Sequence, residues 1–168
     1  MKFVIIFLIL CAFILGIQAQ KPFKTCSDQV LVLDGDTLIL QKQKIRLLGI
    51  DAPEIGQKPF GENSKNYLKK LIQNQKVCCR PSHEPFDKYK RLLAYCWNED
   101  KFINAEMIKA GQAVSLFIGD KNTEYKLLFL QYEEEAQKQE LGIYNSQASL
   151  DEIPYIWRKY KKPKTGKK

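Results

Sequence analysis

The chain has 168 residues, of which 27 are Lys or Arg, 19 are Asp or Glu, five are Cys and one is His. A composition that is 45% hydrophobic and 27% charged is that of a globular protein, which excludes a disordered or collagen-like polymer, and the length suits one domain with a sizeable core. Because His83 is the only histidine, catalysis by a histidine pair and a multi-histidine metal site are both excluded.

In chain order, Lys2 precedes an uncharged apolar run from Phe3 to Ile17, and Gln18-Ala19-Gln20 follows. A basic start, an apolar stretch and a small residue before a polar one form the pattern of a secretory signal, here residues 1–19 with cleavage after Ala19. The run falls short of the about 20 residues of a membrane span. An uncleaved N-terminal anchor is the alternative, a buried core helix a third reading. The protein is therefore expected outside the cytoplasm, secreted or in the periplasm or cell envelope, with no stable membrane association once the signal is cut.

Val30-Leu31-Val32-Leu33 and Thr37-Leu38-Ile39-Leu40 flank Asp34-Gly35-Asp36, which reads as strand, tight turn, strand. Gln41 to Lys44 suits a second turn, and Lys44 to Ile50 a third strand. After a loop broken by Pro53, Gly56, Pro59 and Gly61, the period changes. Tyr67, Leu68, Leu71 and Ile72 share one helical face between Glu62 and Gln75, with lysines opposite. Lys76 to Arg80 is a fourth strand ended by Pro81, and Leu92 to Trp97 a fifth. Ile103 to Ala110 is a short helix capped by Asn104 and stopped by Gly111. A longer helix, capped by Asn122 or Thr123, carries apolar Leu127, Leu128, Leu130 and Ala136 and stops at Gly142. Five strands with a helix between the third and fourth is the element order of an OB-fold, a Greek-key barrel, here in an α+β chain with about three helices. The domain runs from 20 to 157.

Residues 158–168 form a basic tail. Without the signal, 26 Lys and Arg face 19 acids, a net charge of +7. Arg158 to Lys168 contain seven of those cations and no acid, so the body is neutral. Such a tail attracts polyanions without selectivity, or is simply a solvated end. Tyr155, Trp157 and Tyr160 alternate with basic residues there; packing of Ile156 and Trp157 on the barrel is favoured over base stacking.

The chemistry lies among acids and arginines at strand ends. Asp36 follows a glycine in a turn, Asp51 and Glu54 flank Pro53, and Arg46 and Arg91 sit on the third strand and at the start of the fifth. Carboxylates at adjacent strand ends can converge on one hard cation. Two arginines beside it match a phosphodiester, whose oxygens gain charge during displacement. A further carboxylate can orient or deprotonate a water. Taken singly each has a plain structural explanation: a hairpin turn, a surface ion pair, a turn followed by a cap.

Order and spacing decide. The stretches Val32-Leu33-Asp34-Gly35-Asp36-Thr37, Ile45 to Glu54 (Ile-Arg-Leu-Leu-Gly-Ile-Asp-Ala-Pro-Glu) and Asp87 to Tyr95 (Asp-Lys-Tyr-Lys-Arg-Leu-Leu-Ala-Tyr) resemble the thermonuclease family, the relatives of staphylococcal nuclease. Asn104 to Gly111 and Gln137 to Tyr144 extend the resemblance, which covers roughly Gln29 to Tyr144. It implies an OB-fold and a calcium site made by the carboxylates of Asp36 and Asp51 with the backbone carbonyl of Ala52. Glu54 would act on the attacking water, as base or orienting group. Arg46 and Arg91 would grip the scissile phosphate, Lys88 and Tyr89 a neighbouring one, and Phe117 would stack on a base. Family members cleave DNA and RNA to 3′-phosphate ends, so a nucleic-acid substrate and a monomeric enzyme are expected. An OB-fold module that binds nucleic acid or protein without cleaving it is the alternative, against which all five acids and arginines are retained. Lys90 stands where many members have Gly, so a positive φ there would cost about 1 kcal/mol. The Ile55 to Phe60 loop is also short.

Cys26, Cys78, Cys79 and Cys96 remain in the mature chain and allow three pairings in an oxidising compartment. Antiparallel fourth and fifth strands favour Cys79 with Cys96, which leaves Cys26 with Cys78. Free core thiols and a zinc site with His83 are the competing readings.

Overall fold

The Asp34-Gly35-Asp36 turn is tight for a packing reason as well as a conformational one. A Cβ on Gly35 would collide with Ser64 and Ala52, so a helix and a neighbouring loop lie directly on the turn. Asp34 shapes it, its Oδ1 accepting the Asp36 N–H at 3.1 Å. These details come from a computed structural model that describes residues 25–99, 101–118 and 124–161. The expected signal segment, Asn122, Thr123 and the end of the basic tail lie outside the described residues.

The strands are β1 (Thr25–Ser27), β2 (Val30–Val32), β3 (Thr37–Leu40), β4 (Gln43–Leu47), β5 (Ile50–Asp51), β6 (Val77–Phe86), β7 (Leu92–Asn98), β8 (Lys101–Phe102) and β9 (Val114–Ser115). The helices are α1 (Phe60–Ile72), α2 (Ile103–Lys109), α3 (Lys126–Lys138) and α4 (Pro154–Lys161), with a 3-10 turn at Gly142–Tyr144. The main sheet runs β1-β6-β7-β4-β3-β2, with β8 on β7. Because β1 and β2 adjoin in sequence, the two ends of that path are one interrupted strand, and the sheet curls into the OB-fold barrel. The five expected strands are β2, β3, β4, β6 and β7.

One pairing positions the chemistry. β4 and β7 run parallel, with Ile45 opposite Leu92, Arg46 opposite Leu93 and Leu47 opposite Ala94. Side chains alternate along a strand. Ile45, Leu47, Leu92 and Ala94 therefore enter the core, while Lys44, Arg46, Arg91 and Leu93 share the opposite face and line one cleft. The core also takes Leu38, Leu40, Ile50, Leu68, Val77, Ile103, Met107, Ile108 and Phe129.

The disulfides follow the ladder register: Cys26 lies opposite Cys78 and is bonded to it, and Cys79 is bonded to Cys96 in the same way. Consecutive residues of a strand point to opposite faces, so Cys79–Cys96 is inside the barrel and Cys26–Cys78 outside.

Four local expectations are corrected. Pro81 does not end the fourth strand. β6 continues to Phe86 through a register shift between Pro81 and Phe86, which accommodates a proline inside a strand. Asn104 does not cap its helix, since Phe102 holds the N-cap position. Buried instead, Asn104 donates from Nδ2 to the Leu48 carbonyl (2.9 Å) and the Ala94 carbonyl (3.3 Å) and accepts the Cys96 N–H (3.0 Å). Of the apolar positions expected on α3, Ala136 is buried and Leu128 packs on the core, but Leu127 and Leu130 are exposed; Phe129 takes the buried place, with Tyr125 and Tyr132 packed beside it. The aromatic cluster of Tyr95, Phe102, Tyr125 and Phe129 sets that rotation. Finally, α3 ends at Lys138 with Glu140 in the left-handed region (φ 51°), before Gly142.

Candidate active site

Arg46 is the buried hub of the cleft. Its Nη1 donates to the carbonyls of Leu47 (2.7 Å) and Ile50 (2.8 Å), which fixes the guanidinium across the β4–β5 turn. Its Nη2 lies 3.0 Å from Asp36 Oδ2 and 3.0 Å from Asp51 Oδ1, so the carboxylates singled out in the sequence meet on one nitrogen. Asp36 also accepts the Thr37 hydroxyl (3.0 Å) and the Ala52 N–H (2.9 Å), which places Ala52 beside the acids. Asp51 is fully buried. Burial pushes its carboxyl up, with the nearby Asp36 charge adding and Arg46 and Arg158 opposing. Burial, then the charge of Asp36, raises Asp34 to about 6.

Glu54 follows on the same loop, its N–H held by Gln57 Oε1 at 3.0 Å. Arg91 enters from the start of β7. Asp87 accepts the Tyr89 N–H (2.8 Å), the Arg91 N–H (3.0 Å) and Arg91 Nε (2.7 Å), so one carboxylate both builds the turn and aims the guanidinium. Partial burial would raise Asp87, but those donors outweigh it and hold the carboxyl below its ordinary range. Lys90 has the anticipated positive φ, 59°, and the turn still delivers Arg91 to the cleft. Tyr89 is 64% exposed at the rim, with Lys88 Nζ 5.1 Å and the Arg91 guanidinium 5.5 Å from its ring.

The cleft has a volume of about 690 Å³ and is lined by Asp34, Asp36, Arg46, Ala52, Glu54, Tyr89 and Arg91 together with apolar Phe86, Leu116 and Ile118. Phe117 is placed otherwise than expected. Its ring packs 6.4 Å from Phe129 on the core side, while Leu116 and Ile118, its neighbours on either side in the chain, face the cleft. A stretch of extended chain alternates, so the residue expected to stack on a base is one position out of phase.

Arg158 is the site residue that sequence reasoning missed. Assigned to a solvated tail, it instead sits on α4, where Nη2 donates to Asp51 Oδ1 (2.8 Å) and Oδ2 (2.7 Å) and Nη1 to Glu54 Oε1 (2.9 Å). Trp157 is half-buried and packs against Gly56, where a Cβ would approach its ring to 2.8 Å. A proline at the start of a segment with Ile156 and Trp157 was the available signal.

Residues 44–146 match the family described as staphylococcal nuclease homologue. The chain belongs to the staphylococcal nuclease family. Relatives include a thermonuclease of Staphylococcus intermedius, 37% identical over 145 residues (76% of this chain, 86% of that one). A protein of Haemophilus influenzae named uncharacterized endonuclease is 32% identical over 151 residues (87% and 80%). The micrococcal nuclease of Shigella flexneri is 30% identical over 166 residues (91% and 90%). The chain is thus a hydrolytic nuclease of a metal-dependent family, with a nucleic acid as substrate.

Its donors fit a metal that prefers oxygen. Among the described residues no three His, Cys, Asp or Glu side chains gather as a metal cluster. Two carboxylates on one guanidinium, beside a backbone turn, suit a hard cation that completes its shell with carbonyls and waters.

Proposed function

We propose that this nuclease is an exported, calcium-dependent endonuclease that hydrolyses DNA, RNA or both with little sequence selectivity and leaves 3′-phosphate ends. The observation that carries the reading is the shared contact of Asp36 and Asp51 with one Arg46 nitrogen, with Glu54 and Arg91 opening on the same cleft. Asp36, Asp51 and the Ala52 carbonyl would hold calcium, which when bound neutralises the phosphate and polarises a water. Arg46 and Arg91 bind the non-bridging phosphate oxygens and stabilise the charge that builds there. Glu54 holds the attacking water, as general base or as orienting group. The new P–O bond forms in line with the bond to the 5′-oxygen, which breaks and leaves with a proton from solvent, so phosphate stays on the 3′ side. Lys88 and Tyr89 at the rim contact the adjoining phosphate. Low selectivity follows from a cleft whose polar groups address phosphate, with apolar Leu116 and Ile118 beside them.

The test is cleavage of plasmid DNA and of a labelled RNA in calcium, in magnesium and in chelator, with end-group analysis of the products. Cleavage in calcium to 3′-phosphates, weaker in magnesium because its shell demands near-octahedral geometry, is expected. Binding without cleavage would leave only a nucleic-acid-binding module.

A further inference from the structure

Arg158 does not make an ordinary surface ion pair. It straddles the two carboxylates that the chemistry above needs free: Asp51 as a metal ligand and Glu54 as the holder of water. A carboxylate offers about four lone-pair directions. On Asp51 three contacts are filled, one by Arg46 and two by Arg158. The side chain is brought from 107 residues away by a helix that is itself seated. Gln57 Nε2 donates to the Glu152 carbonyl at 2.8 Å, just before α4, and Trp157 fills the space over Gly56. Through its Oε1 the same Gln57 holds the Glu54 N–H, so the loop that presents Glu54 is the loop on which α4 rests.

Asp51 already carries two guanidinium groups, and a divalent cation brought onto the same buried carboxylate beside Arg158 would meet strong repulsion, because in a partly buried site the Coulomb term is several times its value in water. We propose that the Arg158 guanidinium and the catalytic cation are alternative occupants of one position, so that α4 is a built-in competitor of the metal site. Cation entry expels Arg158 from Asp51 and Glu54, and how firmly α4 is seated sets the cation concentration at which the site fills. This inference rests on the calcium reading of the site.

The test is calorimetric titration of calcium chloride, without nucleic acid, into the wild-type protein, Arg158→Gln, Arg158→Lys and Lys159→Gln. Arg158→Gln is expected to bind calcium about tenfold or more tightly than wild type, and Lys159→Gln, which removes the same charge from an exposed position on the same helix, within about twofold of it. Arg158→Lys keeps the charge without the fork and should fall between. Thermal unfolding gives a second readout: in chelator Arg158→Gln should melt below wild type, since Asp51 loses a partner, and saturating calcium should close or reverse that gap. Calcium affinity equal to or weaker than wild type in both Arg158 variants overturns the inference alone. No calcium binding by any of the four proteins overturns the cation reading of the site and the inference with it.

Discussion

At the scale of single residues, Asp36 and Asp51 carry different loads. Asp36 is tied to Thr37, Ala52 and Arg46, whereas Asp51 touches Arg46 and Arg158. Alanine at either removes a charged oxygen from the cation site, so turnover in calcium should fall by at least about 100-fold while the circular dichroism spectrum stays native. Wild-type cleavage by either variant would show that the metal is held elsewhere. Asn104 has no chemical task, yet it joins the Leu48 carbonyl of the β4–β5 turn to the Ala94 and Cys96 backbone of β7, the two strands that present the arginines. Asn104→Ala removes the side-chain partner of the buried Leu48 carbonyl and Cys96 N–H, while the Ala94 carbonyl keeps the Leu48 N–H, and should cost about 2–4 kcal/mol in urea unfolding. Asp87 gives a pH signature. Its folded carboxyl titrates below the ordinary 3.8, so the stability it contributes is complete above that value and is lost as the pH falls through the lower, folded value. The stability gap between wild type and Asp87→Asn should therefore be full at pH 7 and shrink below about pH 4. A gap that does not change over that range would contradict the pairing with Arg91. Most of these residues were legible because Arg46, Asp51 and Glu54 fall within nine residues of one strand and turn, where order alone dictates proximity. Arg158 was not, since a contact across 104 residues leaves no local pattern to read.

At the scale of elements, β6 is the best-anchored strand of the barrel. It is bonded through Cys78 to β1 and through Cys79 to β7, on opposite faces. In the loop-entropy account, bridges closing 52 and 17 residues stabilise by about 4 and 3 kcal/mol. Removing Cys26–Cys78 by paired serines should thus lower unfolding stability somewhat more than removing Cys79–Cys96, apart from the cavity left inside the barrel by the latter. Four free thiols in the denatured, unreduced protein would contradict both bridges. The five barrel strands could be read from alternation and turn residues, and their antiparallel register predicted the inner bridge. What could not be read has a common cause. The run of β6 past Pro81, the rotation of α3 and the inward turn of Phe117 are each decided by a partner on another element: β7, the aromatic cluster, and Phe129. The bulged end of β6 also has a use, because it carries Ser82, Glu84 and Phe86 to the cleft.

At the scale of the whole molecule, charge and chemistry are divided along the chain. The structure moves the dividing line: α4 continues to Lys161 and its Arg158 belongs to the site, so the segment expected to act as a polycation is shortened to residues 162–168. Deleting residues 162–168 removes Lys162, Lys164, Lys167 and Lys168 and leaves α4 and every group of the cleft in place. Attraction to long duplex DNA should then weaken and its dependence on salt flatten, by up to about 0.9 in log–log slope for each lysine that had met a phosphate. Turnover of a short substrate at saturation should stay within about twofold, because no group that acts on the transition state has been lost. Glu54→Ala should do the reverse. It touches the water step and not the distant phosphates, so single-turnover rate should fall by several kcal/mol in barrier while equilibrium binding shifts only a few-fold. Measuring both quantities for the two variants at two salt concentrations separates the roles. A deletion that abolishes saturated turnover would place a catalytic duty in the tail, and an unchanged rate in Glu54→Ala would remove the carboxylate from the chemistry.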